Sequence, residues 1–343
     1  MKIGLIGYFG SGAYSDDLIE YVTKQLFLDI NPNITFDSTI LSRGQAGADP
    51  SYLNSFDLLV HCGGSFLGKC TYFPVRDIDK WHNKVETPLA IFGAGYRYEP
   101  DKEPLTIEQR SRLNILFTKS EVTTLRGHIT MHHLKLNGID VSKVSSLGDP
   151  VMACPLRLDI TPKHIVGNVR NMPAIEIQHA TTPHVQRFMA DVYDWLIDYY
   201  HKPLTLISFR HNIVEDNDYT GAVATRALMR NKAMVTIKRP DGYREAVNCM
   251  SEACFWFGQR LHPTMFAAVQ GIPFVGLEYQ FGKLLDWYST VGLTNYVHMD
   301  NATLEGFKEV FYKSEESTER LKGVLPTRIT EIRRAVDDIM RLI

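Results

Sequence analysis

The chain of 343 residues is poor in cysteine and has no long apolar run. Its five cysteines lie far apart, at positions 62, 70, 154, 249 and 254, and none forms a C-x-x-C pair. They are too scattered for a disulfide framework, so we expect reduced thiols and a cytoplasmic protein. No window approaches the roughly 18 consecutive apolar residues of a membrane span. The first residues have the pattern of a strand, so a signal peptide is not expected either.

The chain also lacks a strong excess of charge of either sign. Its formal net charge is −2, so we expect no global attraction to nucleic acid or to an acidic membrane, although local positive clefts stay open. With 44% hydrophobic and 22% charged residues, the composition is that of a globular protein. The length suits two domains of ordinary size.

Three catalytic signatures are missing. There is no G-x-S-x-G elbow on which to build a hydrolase triad. The glycine loop at 7–12 does not fit G-x-G-x-x-G, and the carboxylates of Asp16 and Asp17 would repel a pyrophosphate at the following helix. His128 and His132 form an i, i+4 pair that could bind zinc, but H-E-x-x-H is absent and a cluster on a helix surface is the favoured interpretation. We therefore predict no metal and no cofactor.

Strand-like and helix-like segments alternate along the chain. Strands are predicted at 2–6, 34–40, 57–61, 88–92 and 122–125, and again at 165–169, 204–208, 234–237, 254–257, 273–277 and 296–298. Helices are predicted at 16–27 (with Ser15 as N-cap), 107–118, 129–136, 184–200, 221–230, 244–249, 264–270 and 284–291. Such alternation is typical of βαβ units, which build parallel sheets with helices on both faces.

A stretch with several prolines, at 149–162, separates two such sets. We therefore predict an α/β fold of two doubly wound Rossmann-like domains that face each other across a cleft, with residues 1–155 in the N-terminal domain and 156–320 in the C-terminal domain. Residues 321–343 are predicted as a helix packed on the body, with a partner-binding helix as the alternative. In this architecture ligands bind beyond the carboxyl ends of the strands, and the cleft is the natural site.

The most informative segment is Arg260-Leu261-His262-Pro263, which follows the apolar strand at 254–257. Pro263 is predicted to open a short helix, which makes His262 its N-cap residue. A guanidinium, an imidazole and the unpaired N–H groups of a helix start together predict an anion site. The alternative is that Arg260 and His262 only cap a surface loop.

Other strand ends of the prediction carry polar residues or glycines. Arg126 and Arg210 each follow a strand, and both are predicted to point into the cleft, with an exposed surface arginine as the alternative. Glycine loops follow two strands of the first domain, at Gly63-Gly64-Ser65 and at Gly93-Ala94-Gly95. Glycines there let a ligand approach the backbone closely, although tight turns with packing glycines explain them equally well.

These motifs resemble those of the polysaccharide pyruvyl transferase family over most of the chain, from Gly7 to about Gly292. The G-G-G-x-L-x loop, the G-x-G turn, the G-D-P turn and the R-L-H segment of that family correspond to residues 62–67, 93–95, 148–150 and 260–262. The opening N-x-G-D-E loop is degenerate here, at 13–17. Gly127 follows Arg126 where the family pattern has an acidic residue.

The resemblance implies an enzyme with a two-domain fold like that of the GT-B glycosyltransferases. It implies phosphoenolpyruvate as donor on the C-terminal domain and, on the N-terminal domain, a sugar or lipid-linked saccharide of a surface polysaccharide as acceptor. It implies no metal. Pyruvate would be transferred as a ketal: the methylene carbon of the donor is protonated, one sugar hydroxyl adds, and a second hydroxyl displaces phosphate.

Roles for the candidate residues follow from this chemistry. We predict that Arg126 and Arg260 bind the two anionic ends of the donor from opposite domains, because phosphoenolpyruvate carries both a carboxylate and a phosphate. His262 is predicted to protonate the methylene carbon, with simple hydrogen bonding to phosphate as the alternative. The remaining predicted substrate contacts are Arg210, Leu261, Gly63, Gly64, Ser65, Gly93 and Gly95.

Two other classes of function stay open. A GT-B glycosyltransferase or epimerase would use a nucleotide sugar and would need a carboxylate for the ribose hydroxyls, for which Glu278 is the good candidate. A non-catalytic protein that binds sugars or anions is the other class. A homo-oligomer, and a peripheral association with the membrane through the acceptor, stay open as well.

Overall fold

A computed structural model describes residues 1–38, 49–68, 75–76, 78–97, 104–171, 182–210, 217–278, 282–299 and 302–343. These residues form two six-stranded sheets in which neighbouring strands are parallel. The first has the order β2-β1-β3-β4-β5-β6, with β1 at Lys2–Ile6, β2 at Thr35–Asp37, β3 at Leu58–Cys62, β4 at Leu89–Ala94, β5 at Ser120–Leu125 and β6 at Val144–Ser146. The second has the order β12-β11-β10-β7-β8-β9, with β7 at His164–Asn168, β8 at Leu204–Ile207, β9 at Val235–Lys238, β10 at Ala253–Gly258, β11 at Phe274–Glu278 and β12 at Tyr296–His298.

Helices occupy the connections between the strands. They are α1 (Tyr14–Leu28), α2 (Pro50–Leu53), α3 (Ile78–Trp81), α4 (Ile107–Lys119), α5 (His128–Leu136), α6 (Thr182–Tyr200), α7 (Asp218–Leu228), α8 (Tyr243–Asn248), α9 (Leu261–Val269), α10 (Lys283–Val291), α11 (Leu304–Phe311) and α12 (Ser314–Met340). The predicted α/β fold with two doubly wound sheets is confirmed. Across the described ranges, none of these helices is both long and apolar enough to cross a membrane.

Each sheet has one point at which the strand order reverses. In the first sheet β2 lies on one side of β1, and β3 to β6 follow one another on the other side. The strand order therefore reverses between β1 and β3, and a crevice lies at the carboxyl ends of these two strands. In the second sheet the corresponding crevice lies at the carboxyl ends of β7 and β10. Ligands of open α/β sheets bind at such crevices. The fold therefore places the chain after β1, β3, β7 and β10 where a site is expected.

Helix α1 starts at Tyr14, earlier than predicted, and its start is set by a contact with the second half of the chain. Ser15, the predicted N-cap, lies inside the helix, while Ala13 is the N-cap and makes no side-chain capping bond. Ala13 instead forms an antiparallel bridge with Arg210. The predicted apolar face of α1 is buried, as Leu18, Ile19, Val22, Leu26 and Phe27.

Other differences from the prediction concern short elements and boundaries. The strand β6, the helices α2 and α3, and the 3-10 helices Pro150–Ala153 and Lys232–Met234 are too short to show a period. Strand β2 ends at Asp37, and residues 39 and 40 of its predicted range lie outside the described residues. Helix α7 begins at Asp218, before the predicted 221, because the Asn217 side chain accepts the Thr220 N–H at 3.1 Å.

The C-terminal tail forms two helices, of which α12 is the longer. Leu321, Leu325, Ile332, Val336 and Ile339 of α12 are buried. They belong to a hydrophobic cluster that contains residues of both sheets, and α12 contacts α1 and β5 on one side and α9 and β11 on the other. The helix therefore adds apolar contact between the two halves.

We predict that Ile332→Ala lowers the free energy of unfolding by about 2–5 kcal/mol, because it leaves a cavity in this shared cluster. The matched control is Ile107→Ala, which should change stability by less than about 0.5 kcal/mol, since Ile332 is 1% exposed and Ile107 is 79% exposed. Urea unfolding of both variants measures the difference. Equal losses in the two variants would contradict the role given to α12.

Candidate active site

The carboxyl edges of the two sheets face each other. Ala13, which follows β1, bridges to Arg210, which follows β8. The Tyr14 N–H donates to the Phe209 carbonyl at 3.0 Å across the same junction. Arg126, Arg210, Arg260 and His262, predicted from separate strand ends, thus lie on facing sides of one cleft.

Arg126 is fixed inside the protein at the end of β5. Its side chain is 1% exposed, and its Nη2 donates to the Ser65 hydroxyl at 2.9 Å. A Cβ atom on Gly95 would overlap the Arg126 guanidinium, so glycine at this position makes room for the arginine. The predicted contacts Ser65 and Gly95 therefore both lie against Arg126.

The carboxylate beside Arg126 comes from the other half of the chain. Asp286 Oδ2 of α10 lies 3.5 Å from Arg126 Nε. The Asp286 carboxylate also accepts the N–H of Thr130 at 3.0 Å and its hydroxyl at 2.6 Å. A Cβ atom on Gly127 would overlap Asp286. Gly127, which departs from the family pattern, thus leaves the space that the Asp286 side chain of α10 occupies.

Arg260 is held by a buried carboxylate of its own half. Its Nη2 lies 2.6 Å from Asp218 Oδ1, and its Nε donates to the same carboxylate at 3.1 and 3.2 Å. Asp218 is fully buried, and Arg260 is nearly so. A guanidinium held by a carboxylate in this way has one orientation, so it need not reorient when a ligand binds.

The helix that contains His262 begins two residues earlier than predicted. Helix α9 begins at Leu261, with Arg260 as N-cap, so His262 is inside the first turn and the prediction that it caps the helix is wrong. The Thr264 N–H and hydroxyl both donate to the Arg260 carbonyl, at 3.2 and 2.8 Å, which closes that turn. Pro263 fits there because the first N–H groups of a helix have no partner within it.

The His262 ring lies between two carboxylates of the N-terminal half. Its Nε2 is 3.4 Å from Asp149 Oδ2, and its Nδ1 is 3.9 Å from Asp16 Oδ1. Burial raises the pKa of the Asp16 carboxyl, against the opposing charges of His262 and Arg210. Burial likewise raises the pKa of Asp17 to about 6. The sequence-predicted histidine and the acidic start of α1 therefore share one site.

Positive charge is concentrated around Lys283, the first residue of α10. Burial lowers the pKa of Lys283 to about 7. The guanidinium groups of Arg97, Arg170 and Arg126 act in the same direction. Asp16 acts in the opposite direction. Positive charges that oppose the protonation of a neighbouring lysine form a site that a bound anion would stabilise.

Arg210 reaches across the junction to the N-terminal half. Its Nη2 donates to the Tyr8 hydroxyl at 3.4 Å, and its guanidinium carbon lies 5.6 Å from the centroid of the Tyr8 ring. Tyr8 is 42% exposed. The pair forms part of the rim of the cleft.

The other predicted contacts lie at turns around the cleft. Gly63 and Gly64 have φ of 61° and 74°, and a Cβ atom on Gly64 would meet nothing within 4 Å. Gly93, with φ of 69°, packs against Pro150. Leu261 packs at the edge of the hydrophobic cluster shared by both halves. Gly64 thus leaves open space in its loop, whereas Gly93 is needed for packing.

Sequence reasoning missed several residues of this site, among them Asp218, Arg97, Lys283, Asp149 and Asp286. Lys283 follows β11 and begins a helix, which is the same signal that identified Arg260, and could have been found. Asp149 stands in the G-D-P turn, where an aspartate before proline is typical of a cap, and its Oδ1 does accept the Val151 N–H at 3.0 Å. Nothing in the sequence connects Asp286 with Arg126. Within the described part of the chain, no group of three or more His, Cys, Asp or Glu side chains could hold a metal ion.

Comparisons with known proteins agree with the fold and indicate a family. A family model described as polysaccharide pyruvyl transferase matches residues 16–280. A search of curated proteins finds no match.

Several solved structures share the whole fold at low sequence identity. A UDP-GlcNAc 2-epimerase from Neisseria meningitidis, bound to UDP-GlcNAc, is 13% identical with a TM-score of 0.57, over 100% of this chain and 99% of that one. MnaA from S. aureus, in a co-structure with UDP, is 11% identical with a TM-score of 0.58, over 100% and 97% of the two chains. A glycosyltransferase from Rickettsia africae is 10% identical with a TM-score of 0.54, over 99% and 98%. These likenesses support the GT-B-like architecture.

We predict that Gly127→Ala lowers the free energy of unfolding by about 1–3 kcal/mol, because the methyl group displaces Asp286 from its hydrogen bonds to Thr130. The control is Gly323→Ala in α12, where an added Cβ would meet nothing within 4 Å. It should raise stability by about 0.5–1 kcal/mol through helix propensity. Urea unfolding compares the variants. Stabilisation by both alanines would show that α10 does not need the glycine.

Proposed function

The chain belongs to the polysaccharide pyruvyl transferase family, and from this premise we propose that it transfers pyruvate from phosphoenolpyruvate to a sugar of a cell-surface polysaccharide or its precursor. The product is a pyruvyl ketal, and phosphate is released. The proposal includes a free or lipid-linked saccharide as acceptor and a reaction in the cytoplasm.

The observation that carries the donor assignment is the concentration of cations around Lys283. The charges of Arg97, Arg126 and Arg170 reach this lysine strongly enough to oppose its protonation. Phosphoenolpyruvate carries a carboxylate and a doubly charged phosphate a few ångströms apart, so its site needs several positive groups at one place. A bound anion would offset the repulsion between Lys283 and the neighbouring arginines.

Arg126 and Arg260 contribute orientation more than net charge to this site. Each guanidinium lies against a buried carboxylate, Asp286 in one case and Asp218 in the other. Hydrogen bonds to Asp218 fix the direction of the Arg260 N–H groups, and a hydrogen bond to Ser65 fixes that of Arg126. Each carboxylate cancels part of the charge of its arginine. We therefore assign the orientation of the donor to Arg126 and Arg260, and most of the balance of its charge to Lys283, Arg97 and Arg170.

His262 and Asp16 supply the proton transfers of the proposed reaction. An imidazolium at His262 donates a proton to the methylene carbon, which becomes a methyl group as the first sugar hydroxyl attaches to the neighbouring carbon. Asp16 lies 3.9 Å from His262 and has a raised pKa, which suits a base that accepts the hydroxyl proton. The second hydroxyl then displaces phosphate, and its proton leaves with the phosphate.

The position of Glu278 weighs against a nucleotide sugar as substrate. This buried carboxylate accepts the N–H groups of Leu284 and Leu285 at 2.7 and 3.0 Å. It therefore stabilises the first turn of α10, whereas a ribose would need a carboxylate turned toward the ligand.

We predict that phosphoenolpyruvate, and not UDP, GDP or CMP, stabilises the protein against heat. At about 100 times its dissociation constant the donor should add roughly 2.7 kcal/mol to the free energy of unfolding. Thermal-shift measurements with the four ligands at equal concentrations test this. Stabilisation by a nucleotide alone would favour the glycosyltransferase or epimerase alternative. Stabilisation by none would remove the support for the donor site.

We predict that donor affinity falls as the pH rises above about 7, because an anion binds the charged form of Lys283 and its pKa is about 7. The decline should approach tenfold per pH unit. The donor's own phosphate, with a second pKa of about 6, is fully ionised in that range. Calorimetric titration between about pH 7 and pH 9 measures the slope.

One variant and one control test whether Lys283 is the group whose titration changes donor affinity. Lys283→Gln should bind phosphoenolpyruvate at least about tenfold more weakly at pH 7 and should show no further decline up to pH 9. Lys313→Gln, at an exposed lysine before α12, should keep the affinity and slope of the unmodified protein. An unchanged slope in Lys283→Gln would exclude Lys283 as the titrating group.

A further inference from the structure

The two ring nitrogens of His262 face carboxylates in different environments. Asp149, opposite Nε2, is fully buried, whereas Asp16, opposite Nδ1, has a side chain that is 23% exposed. Both Nε2 and Asp149 Oδ2 are shielded from solvent, and neither makes a hydrogen bond to any other group of the described residues. The two atoms are 3.4 Å apart.

The second oxygen of Asp149 is already engaged. Its Oδ1 accepts the Val151 N–H at 3.0 Å, at the start of the 3-10 helix Pro150–Ala153. This bond fixes the carboxyl group so that Oδ2 points at the ring. A buried carboxylate oxygen without a donor is costly, and a proton on Nε2 of His262 is the donor that the geometry offers.

The surrounding charges keep Asp149 ionised. Burial by itself raises the pKa of this carboxyl, but the positive charges of His262 and Arg126 and the Val151 N–H outweigh burial and hold the pKa below its usual range. On the Nδ1 side, Asp16 faces the ring, and Arg210, Lys283 and Arg260 lie close enough to act on Asp16. The ring therefore has an ionised, buried carboxylate on one side and a mixed, more open set of charges on the other.

We propose that Asp149 is a positioning residue that holds the Nε2 proton of His262 and so leaves Nδ1 as the nitrogen that exchanges protons with the reactants. This inference rests on the proposed function for the identity of those reactants. It adds that the acid comes from one half of the molecule and its orienting carboxylate from the other, so the acid is complete only when the two halves are in contact.

The proton balance closes through Nδ1. The Nδ1–H bond breaks as a C–H bond forms at the methylene carbon of the donor, and the neutral ring keeps its Nε2 proton against Asp149. The first sugar hydroxyl loses its proton to Asp16, which returns it to Nδ1. The second hydroxyl forms the other C–O bond of the ketal, and its proton leaves with the phosphate as the C–O bond to phosphate breaks.

The test uses the full-length protein labelled with ¹⁵N-histidine, with His262→Gln to assign the signals. The pH is raised until the His262 signals no longer change, where the ring is neutral, and the ¹⁵N spectrum then reports which ring nitrogen carries the proton. We expect the Nε2–H form in the unmodified protein. In Asp149→Asn the side-chain oxygen can still accept the Val151 N–H, which turns the amide NH₂ toward the ring. The ring must then accept at Nε2, so the tautomer should invert to Nδ1–H.

Two controls separate this effect from a loss of structure. Asp16→Asn should leave the Nε2–H tautomer in place. Asp194→Asn, at another buried aspartate that accepts the N–H groups of Arg230 and Asn231, should leave the His262 signals unchanged. If the role of Asp149 were only structural, Asp149→Ala would lower stability and Asp149→Asn would restore it. The tautomer of His262 would then be the same in Asp149→Asn as in the unmodified protein.

The outcomes distinguish this inference from the proposed function. Phosphoenolpyruvate affinity of Asp149→Asn should not fall more than about threefold, because Asp149 is fully buried and its two oxygens lie against the Val151 N–H and His262. If the tautomer inverts but phosphoenolpyruvate fails to bind the unmodified protein, the positioning role stands and the donor is wrong. If phosphoenolpyruvate binds but Asp149→Asn keeps the Nε2–H form, or the unmodified protein has Nδ1–H, the positioning role is overturned.

Discussion

The cleft is organised by the need to give each buried charge a partner. Three carboxylates lie against three cationic or titratable groups, and two of the three pairs join opposite halves of the chain. The pairs are Arg260 with Asp218, Arg126 with Asp286, and His262 with Asp149. Removing one partner of a buried pair costs about 3–5 kcal/mol, because the other charge is left without compensation. Two of the three pairs would break if the halves separated, so the pairs favour one relative placement of the two sheets.

The same constraint determines what the site can offer a ligand. Arginines that are already paired keep their direction but bring little net charge, and a rigid donor loses less entropy when it binds. The positive charge that an anion requires comes instead from the group around Lys283, where Arg97 and Arg170 act together on one lysine. Orientation and charge are thus supplied by different residues, which is compatible with a dianionic donor held in a single pose.

The fold could be predicted from the sequence because buried parallel strands and amphipathic helices leave local patterns with definite periods. The rule that ligands bind at strand ends predicted a site with Arg126, Arg210, Arg260 and His262, and the structure brings these four residues to one cleft. Boundaries set at a distance could not be found: α1 begins where Ala13 meets Arg210, not where a capping side chain stands. Asp149 and Asp286 contact partners more than a hundred positions away in the sequence, and local residue spacing does not indicate such pairs.

At Gly127 the sequence lacks the acidic residue that the family pattern has after the arginine, although a carboxylate is present there in space. The family pattern expects an acidic residue directly after the arginine, and the glycine reads as a departure from it. In space, the missing side chain is what admits α10, since a Cβ atom at Gly127 would overlap Asp286. The carboxylate then reaches Arg126 from the second sheet and binds Thr130 at the start of α5. An acid adjacent in sequence would hold the arginine only within its own half, whereas Asp286 also ties that half to the other.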